Sequence, residues 1–448
     1  MMMYKMYITV GMSKRGSKMG STDVKELLYT PKVQELFGKL YGSEQSPMQT
    51  KRYEAVVDGY VHSFGDADVF LFSSPGRTEI SGNHTDHNHG KVIGGSINLD
   101  CVAAAAKTEE RAVHMISETF QQDFVIHLDE LEPSEQKAGT QDLVKGLIQG
   151  FLNRGCKVEG FNVYMTSNVI ASAGVSSSAA FETLLCQIIN TLFNEEKLDT
   201  VDYAHIGKYA ENVYWDKASG LLDQMCCAVG GLIAIDFKNP DKPLVKKINY
   251  DFSNAEHSLI IVQTGRGHAD LSADYSSIPQ EMNKVAEYFG KKVLREISID
   301  DVLDQFSKLR AYAGDRAVLR ALHFFEENER VDREIAALEK NDFESFLKNI
   351  AASGNSSWKY LQNCYTTAEV NVQGISLTLA LSERFLEQKG GGVCRVHGGG
   401  FAGVIMAMVP DAIADEYIQY IERYMGEGNA HRMRIRPMGS ICVQSMLD

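Results

Sequence analysis

Three clusters of small residues, each set directly against an apolar run, restrict this chain more than any other feature of its sequence. The first opens at Pro75-Gly76 after the run 69–72. The second, Ser172-Ala-Gly-Val-Ser-Ser-Ser-Ala-Ala180, joins the apolar run 161–165 to a segment with Phe181, Leu184, Leu185 and Ile188 at helical spacing. The third, Gly398-Gly-Gly-Phe-Ala-Gly403, separates two short apolar runs, 393–396 and 404–409. The spacing predicts a strand, a small-residue turn and a helix start at the second cluster, and strands on both sides of the third. A strand is expected over 69–72, stopped by Pro75-Gly76, and another around Ile93, Ile97, Leu99 and Val102. The polar loop 76–90 is then held between two strands. Helical spacing over 23–62 and 202–214, a strand at 232–237, a strand at 259–263 and mostly helical sequence to about residue 387 complete an α+β chain.

The chain has 448 residues, about three times the usual domain of roughly 150, so one large or two ordinary domains are expected. The segment Asn239-Pro-Asp-Lys-Pro243 reads as a linker. It divides the sequence into an N-terminal extension over 1–22, a first domain over 23–238 and a second over 244–448. Hydrophobic residues at 44% and charged residues at 23% are globular values, which exclude collagen-like, coiled-coil and low-complexity classes. Lysine and arginine number 45 against 59 aspartates and glutamates, a net charge of −14. Such a chain is repelled by phosphate backbones, so no nucleic-acid partner is expected, and any phosphate must be met locally. The eight cysteines are scattered without a CxxC pair or zinc-type spacing, which points to reduced thiols in the cytoplasm. The longest uncharged run, 160–181, carries too many serines, threonines and asparagines for a membrane helix, and the basic start lacks the apolar core of a signal peptide. Neither a membrane nor a protein partner is expected.

The second cluster offers backbone N–H groups at a helix start, a positive dipole end and three hydroxyls, the ingredients of an anion site. Ser176, Ser177 and Ser178 are not required as part of a capping box, because position 179, three before Glu182, is alanine. An ordinary serine-capped helix is the other reading. No GxxxxGK[ST] is present, nor the HRD and DFG of protein kinases. The third cluster formally matches GxGxxG, but it runs into a strand rather than a helix, so the dinucleotide context fails and a hairpin turn is the alternative. The segment 76–90 packs Arg77, Glu79, Asn83, His84, Asp86, His87, Asn88 and His89 into fifteen positions. It reads either as a solvated loop or as a surface matched to sugar hydroxyls; its histidine spacing suits a metal poorly. Asp223, among Leu221, Leu222 and Met225, is a carboxylate in an apolar stretch, either functional or a helix N-cap after Gly220.

These residues resemble the GHMP kinase superfamily, and within it the galactokinases. Residues 76–88 are similar to G-R-V-N-L-I-G-E-H-T-D-Y-N, residues 172–180 to G-x-G-L-S-S-S-A, and residues 396–403 to M-T-G-G-G-F-G-G. Gly220-Leu-Leu-Asp-Gln224 resembles G-I-M-D-Q, and Ala273-Asp-Tyr275 resembles S-E-Y. The five motifs keep the family order. The resemblance implies a two-domain GHMP kinase fold, with an N-terminal domain like ribosomal protein S5 domain 2, a ferredoxin-like C-terminal domain and an active site in the cleft between them. It implies ATP and Mg²⁺ as cofactors and transfer to the anomeric hydroxyl of galactose, the entry step of galactose metabolism. Asp223 would be the base and Arg77 its partner. Asn83, His84, Asp86, Gly220 and Tyr275 would hold the sugar; Ala173, Gly174, Val175, Ser176, Ser177, Ser178, Ala179 and Ala180 would hold ATP; Ser178 and Glu211 would hold Mg²⁺. Among the departures from the patterns, Asn83 stands for glutamate, Ile170 for the usual proline before the second motif and His397 for threonine or serine. A neutral Asn83 predicts weaker and less selective sugar binding, improved by Asn83→Glu. A kinase for another sugar, such as an N-acetylhexosamine or a pentose, and a non-catalytic galactose sensor are the alternatives.

Overall fold

The computed structural model describes residues 19–134, 139–170, 174–215, 220–265 and 271–447. Two long antiparallel strands, β1 (Phe70–Ser81) and β2 (Lys91–Lys107), form the spine of an eight-stranded sheet completed by β3 (Ala112–Ser117), β4 (Gln122–His127), β5 (Phe161–Ser167), β6 (Leu232–Asp236), β7 (Leu244–Ile248) and a C-terminal strand. β5 pairs with the second half of β2 and β6 with the first half, both antiparallel, while β3 and β5 pair in parallel. The run Val102–Ala106 shows why this sequence makes a central strand: Ala103 and Ala105 enter one core cluster, and Val102, Ala104 and Ala106 enter another on the opposite face. Small side chains let helices approach both faces, Ser46–Phe64 on one and Ser177–Asn194 on the other.

Pro75-Gly76 does not stop the first strand, contrary to the expectation from sequence. Pro75 pairs with Asp100 and the register shifts between Pro75 and Arg77, so the missing N–H falls at a bulge where the ladder is already interrupted. A Cβ on Gly76 would lie 2.6 Å from the Val175 carbonyl oxygen, which accepts from the Arg77 N–H at 3.1 Å. Glycine is therefore required for the strand to touch the second small-residue cluster. A second register shift follows between Glu79 and Ser81.

The second sheet is antiparallel, ordered β11, β8, β10, β9 from β8 (His257–Gln263), β9 (Val393–His397), β10 (Val404–Pro410) and β11 (Ala430–Met433). Its outer face packs Ile260, Val262, Ile405 and Ala407 with Tyr417 of the helix Asp411–Met425, and its inner face sends Leu259, Ile261, Val404 and Met406 into the core of the first sheet. The third cluster is the turn between β9 and β10, as the hairpin reading expects. The segment 239–243, expected as the linker, is instead the turn between paired strands β6 and β7 of the first sheet. The last strand, β12 (Ile441–Cys442), returns to pair with Phe72 and Ser73 on β1. All eight cysteines are free, and among the described residues no helix is long and apolar enough to cross a membrane.

The helix Asp315–Glu339 buries His323, Glu327, Arg330 and Glu334. Glu334 stays protonated at neutral pH because burial, and then the charge of Glu327, push its carboxyl up to about 8. In the unfolded chain the same group ionises near 4.3, so its contribution to stability is full below that value and is lost as pH rises toward 8. Glu334→Gln should therefore gain stability relative to wild type progressively as pH rises from about 5 to about 8. Thermal midpoints between pH 5 and 9 test this, and parallel curves for the two proteins would refute it.

Candidate active site

Between the two sheets lies a cavity of about 290 Å³, lined from β1 and its following turn by Arg77, Glu79, Asn83, His84 and Asp86, from the 220–224 segment by Gly220 and Asp223, and from the β9–β10 turn by Gly398 and Gly399. Asp223 occupies the first turn of the helix Leu222–Val229, whose N-cap is Leu221, so the N-cap reading of Asp223 does not hold. Its Oδ1 accepts from Arg77 Nε at 2.8 Å and from Nη2 at 2.7 Å, and its Oδ2 accepts from Ser176 Oγ at 2.5 Å. Arg77 also donates to the Gly174 carbonyl. Burial opposes the guanidinium charge, but the adjacent Asp223 outweighs it and raises the Arg77 pKa. The result is a fixed ion pair between strand, small-residue turn and helix, with the carboxylate oriented before any ligand arrives.

Ser176 adopts a left-handed backbone, φ 57°, just before the helix Ser177–Asn194, and its side chain caps nothing in that helix. The turn can therefore aim its hydroxyl at Asp223. Val175, Ala179 and Ala180 point into the core, which leaves Ser176, Ser177, Ser178 and the backbone of Gly174 to meet a ligand. Ala173 lies outside the described residues. Ser178 Oγ is 3.5 Å from Glu211 Oε1, on the helix Thr200–Tyr214. Gln224 Nε2 donates to Glu211 Oε2 at 3.1 Å and to Glu182 Oε2 at 3.0 Å, so two buried carboxylates share one neutral amide beside a hydroxyl. This hard-oxygen set fits a divalent cation such as Mg²⁺.

The turn after β1 folds on its own polar groups. His84, also left-handed at φ 57°, donates from Nε2 to the Gly399 carbonyl at 2.8 Å, so its Nδ1 accepts from His87 Nε2 at 3.2 Å. Burial pushes His87 down to about 4, with Asp86 opposing, so the His87 imidazole is neutral at pH 7. A Cβ at Gly220 would meet Asp86 Oδ2 at 3.1 Å, so the absence of a side chain keeps the cavity open beside that carboxylate. Tyr275 stands behind the β9–β10 turn rather than in the cavity lining: its hydroxyl donates to the Gly400 carbonyl at 2.8 Å and its ring meets Phe401 edge-on. His397 is 2% exposed and accepts at Nε2 from the Glu79 N–H at 3.1 Å, with Thr78 Oγ1 at 3.0 Å. Burial, and then Arg77, hold its pKa well below the ordinary value. The imidazole thus ties the bulged end of β1 to β9, a bridge too long for threonine or serine. Ile170 packs partly buried against the main core.

Asn83 is wholly buried. Its Nδ2 donates to Glu79 Oε1 at 2.9 Å and to the Gly398 carbonyl at 2.7 Å, and its Oδ1 accepts from Asn363 Nδ2 at 2.7 Å. The structure thus brings Arg77, Asp223, Asn83, His84, Asp86, Gly220 and Glu211 around one cavity, sets the Ser178 hydroxyl 3.5 Å from Glu211, and leaves Tyr275 behind the loop. Sequence reasoning missed Glu79, Glu182 and Gln224. Glu182 carried a signal, a carboxylate on the apolar face of a helix; Glu79 was hidden among the other polar residues of its segment.

The galactokinase galactose-binding signature matches residues 58–107, and the GHMP kinase N-terminal domain matches residues 142–231. The galactokinase of Clostridium tetani (strain Massachusetts / E88) is 28% identical over 357 residues, covering 80% of this chain and 88% of that protein. The galactokinase of Actinobacillus pleuropneumoniae serotype 5b (strain L20) is 28% identical over 400 residues, covering 88% and 97%. The crystal structure of Lactococcus lactis galactokinase complexed with galactose superposes with a TM-score of 0.72 at 24% identity, over 86% of this chain and 98% of that one. Methanococcus jannaschii mevalonate kinase superposes at 0.59 and 15% identity, over 82% and 98%. The fold is the two-domain α+β fold of the GHMP kinases, and phosphorylation of a small molecule with ATP is the chemistry it carries. By both family models and by these relatives the chain is similar to the galactokinases of the GHMP kinase superfamily, whose fold it shares.

Proposed function

We propose that this protein transfers the γ-phosphoryl group of ATP to the anomeric hydroxyl of galactose, giving galactose 1-phosphate. The observation that carries this reading is the Arg77–Asp223 ion pair, with Asp223 lining a cavity that is also lined by the His84 and Asp86 loop. Galactose, rather than another acceptor, is supported by the signature over residues 58–107. Asp223 takes the hydroxyl proton as the oxygen attacks, and the Arg77 guanidinium keeps that carboxylate ionised and faces the charge of the transferring group. The phosphates of ATP lie over Gly174 to Ser178, where a helix start supplies N–H groups and dipole. Mg²⁺, held by Ser178 and Glu211, would supply charge neutralisation on the phosphate oxygens. The site works in the cytosol, a reading supported by the unpaired cysteines.

Release of ADP measured across a panel of free sugars tests the assignment: galactose should give the highest kcat/KM, and a clear preference for an N-acetylhexosamine or a pentose would replace it. A second expectation concerns the cation. Glu211→Gln removes one charged oxygen and should raise the Mg²⁺ concentration for half-maximal rate by at least roughly tenfold, the loss that even outer partners of a metal site inflict. An unchanged Mg²⁺ titration would remove Glu211 from the site.

A further inference from the structure

Glu79 is a carboxylate that the mechanism above does not use, yet it lines the same cavity as Arg77 and Asp223. It is held from several sides. Its N–H donates to His397 Nε2 at 3.1 Å, its Oε1 accepts from Asn83 Nδ2 at 2.9 Å, and the buried Arg395 guanidinium lies 3.5 Å from that same oxygen. Arg395 is fixed in turn by donation to the Ile80 carbonyl at 3.0 Å. Among the described residues, all the hydrogen bonds made by the carboxylate fall on Oε1, which leaves Oε2 for whatever enters the cavity. Asn83 is in the opposite position: both hydrogens of its amide and its oxygen are taken by Glu79, Gly398 and Asn363. In the galactokinase pattern G-R-V-N-L-I-G-E, asparagine stands where this chain has Glu79 and glutamate stands where it has Asn83. Carboxylate and amide have exchanged places across a single hydrogen bond.

We infer that Glu79 accepts a hydrogen bond from one hydroxyl of the acceptor sugar, and that Asn83 is a positioning residue that holds Glu79 without touching the sugar. The inference rests on the reading that this cavity takes a sugar. A charged acceptor with a fixed orientation selects for a hydroxyl donor at one ring position, since a ligand lacking it leaves a desolvated carboxylate unpaired. Together with Asp86, Glu211 and Asp223 it also gives the cavity four lining carboxylates against the Arg77 guanidinium, an arrangement suited to a neutral polyol and hostile to a sugar acid or a sugar phosphate. The sequence expectation that Asn83 weakens sugar recognition, and that Asn83→Glu would restore it, is thereby reversed: a glutamate at 83 would face Glu79 and the Gly398 carbonyl.

The test compares wild type, Glu79→Gln and Asn83→Asp on the best acceptor found in the sugar panel and on its monodeoxy analogues. Glu79→Gln keeps the shape and the acceptor for Asn83 while removing the charge. It should raise KM roughly tenfold or more, with a smaller change in kcat, and should level the preference against one deoxy analogue while leaving the others as they were. Asn83→Asp sets a second carboxylate against Glu79 and should weaken selection at the same ring position. Unchanged KM and unchanged discrimination in Glu79→Gln would overturn the inference, as would a loss spread evenly over all the analogues. A lowered KM in Asn83→Asp would overturn the role of Asn83 and return the sugar contact to position 83. If Glu79→Gln does not fold, judged by circular dichroism, Glu79→Asp, which withdraws the carboxylate by one methylene, is read by the same criteria. Should the best acceptor not be galactose, the proposed function fails while the comparison on that other sugar still decides the role of Glu79.

Discussion

Asp223→Ala is expected to lower kcat by roughly 10²–10⁴, the range that general-base assistance contributes, while the protein still folds and binds ATP. The side chain is one-third exposed to the cavity, so its removal opens little core. What is lost is the proton acceptor and the anchor of Arg77, whose guanidinium would keep its bond to the Gly174 carbonyl. Asp223→Asn separates the two effects. The amide can still meet the Arg77 side chain and the Ser176 hydroxyl, but it cannot take a proton, so kcat should stay low while the KM for sugar moves little. Retention of more than about a tenth of the wild-type kcat in the alanine variant would remove Asp223 from the chemistry. A full loss of ATP binding would point instead to collapse of the 174–178 turn.

Asp100→Ala should have the largest effect on stability, about 3–5 kcal/mol, the penalty for breaking a buried charge pair from one side. Asp100 is 0% exposed on β2. Its Oδ1 accepts from Arg52 Nη1 at 2.6 Å, and its Oδ2 from Arg436 Nη1 at 3.0 Å, Tyr41 Oη at 2.5 Å and Ser73 Oγ at 2.5 Å. The cluster joins the helices Pro31–Tyr41 and Ser46–Phe64 to both spine strands and to the C-terminal segment, so the alanine variant strands two guanidiniums, one of them wholly buried. Burial raises the carboxyl pKa, but Arg52 and Arg436 more than offset it, and the net direction is down. The unfolded chain titrates this group near 3.9, so the contribution is present above that pH and is lost as pH falls through the lower folded value. Denaturant midpoints should drop sharply for Asp100→Ala at pH 7, and the gap from wild type should close in acid. A difference below about 1 kcal/mol at pH 7 would mean that the two arginines find other partners.

The candidate site was legible in the sequence where chemistry depends on residue type at fixed spacing. The anion-binding turn, the His84–Asp86 loop and the carboxylate at 223 each occupy a short segment, and the hairpin at 398–403 followed from glycines between two alternating strands. Pro75-Gly76 misled because proline and glycine end a strand by default, and only contact with Val175 converts them into a bulge. The turn at 239–243 misled for a related reason: proline and asparagine mark a turn, but nothing local states whether the strands on either side pair with each other.

By itself the sequence determined the alternation of strands and helices, the polar loops between them and the identities of the reacting groups, because these follow from local periodicity and from which side chains carry protons or charge. Tertiary structure alone decided which groups meet. Arg77 and Asp223 are 146 positions apart in the chain, and Glu79 and Arg395 still further. Their contact is set by bulges, left-handed turns and the packing of two sheets on one core. The same holds for Asn83 and Glu79. Four residues apart on a line of text they are merely two polar side chains; only the folded turn shows the amide spent on the protein and the carboxylate turned toward the cavity, because a hydrogen bond is a property of positions in space and not of spacing along the chain.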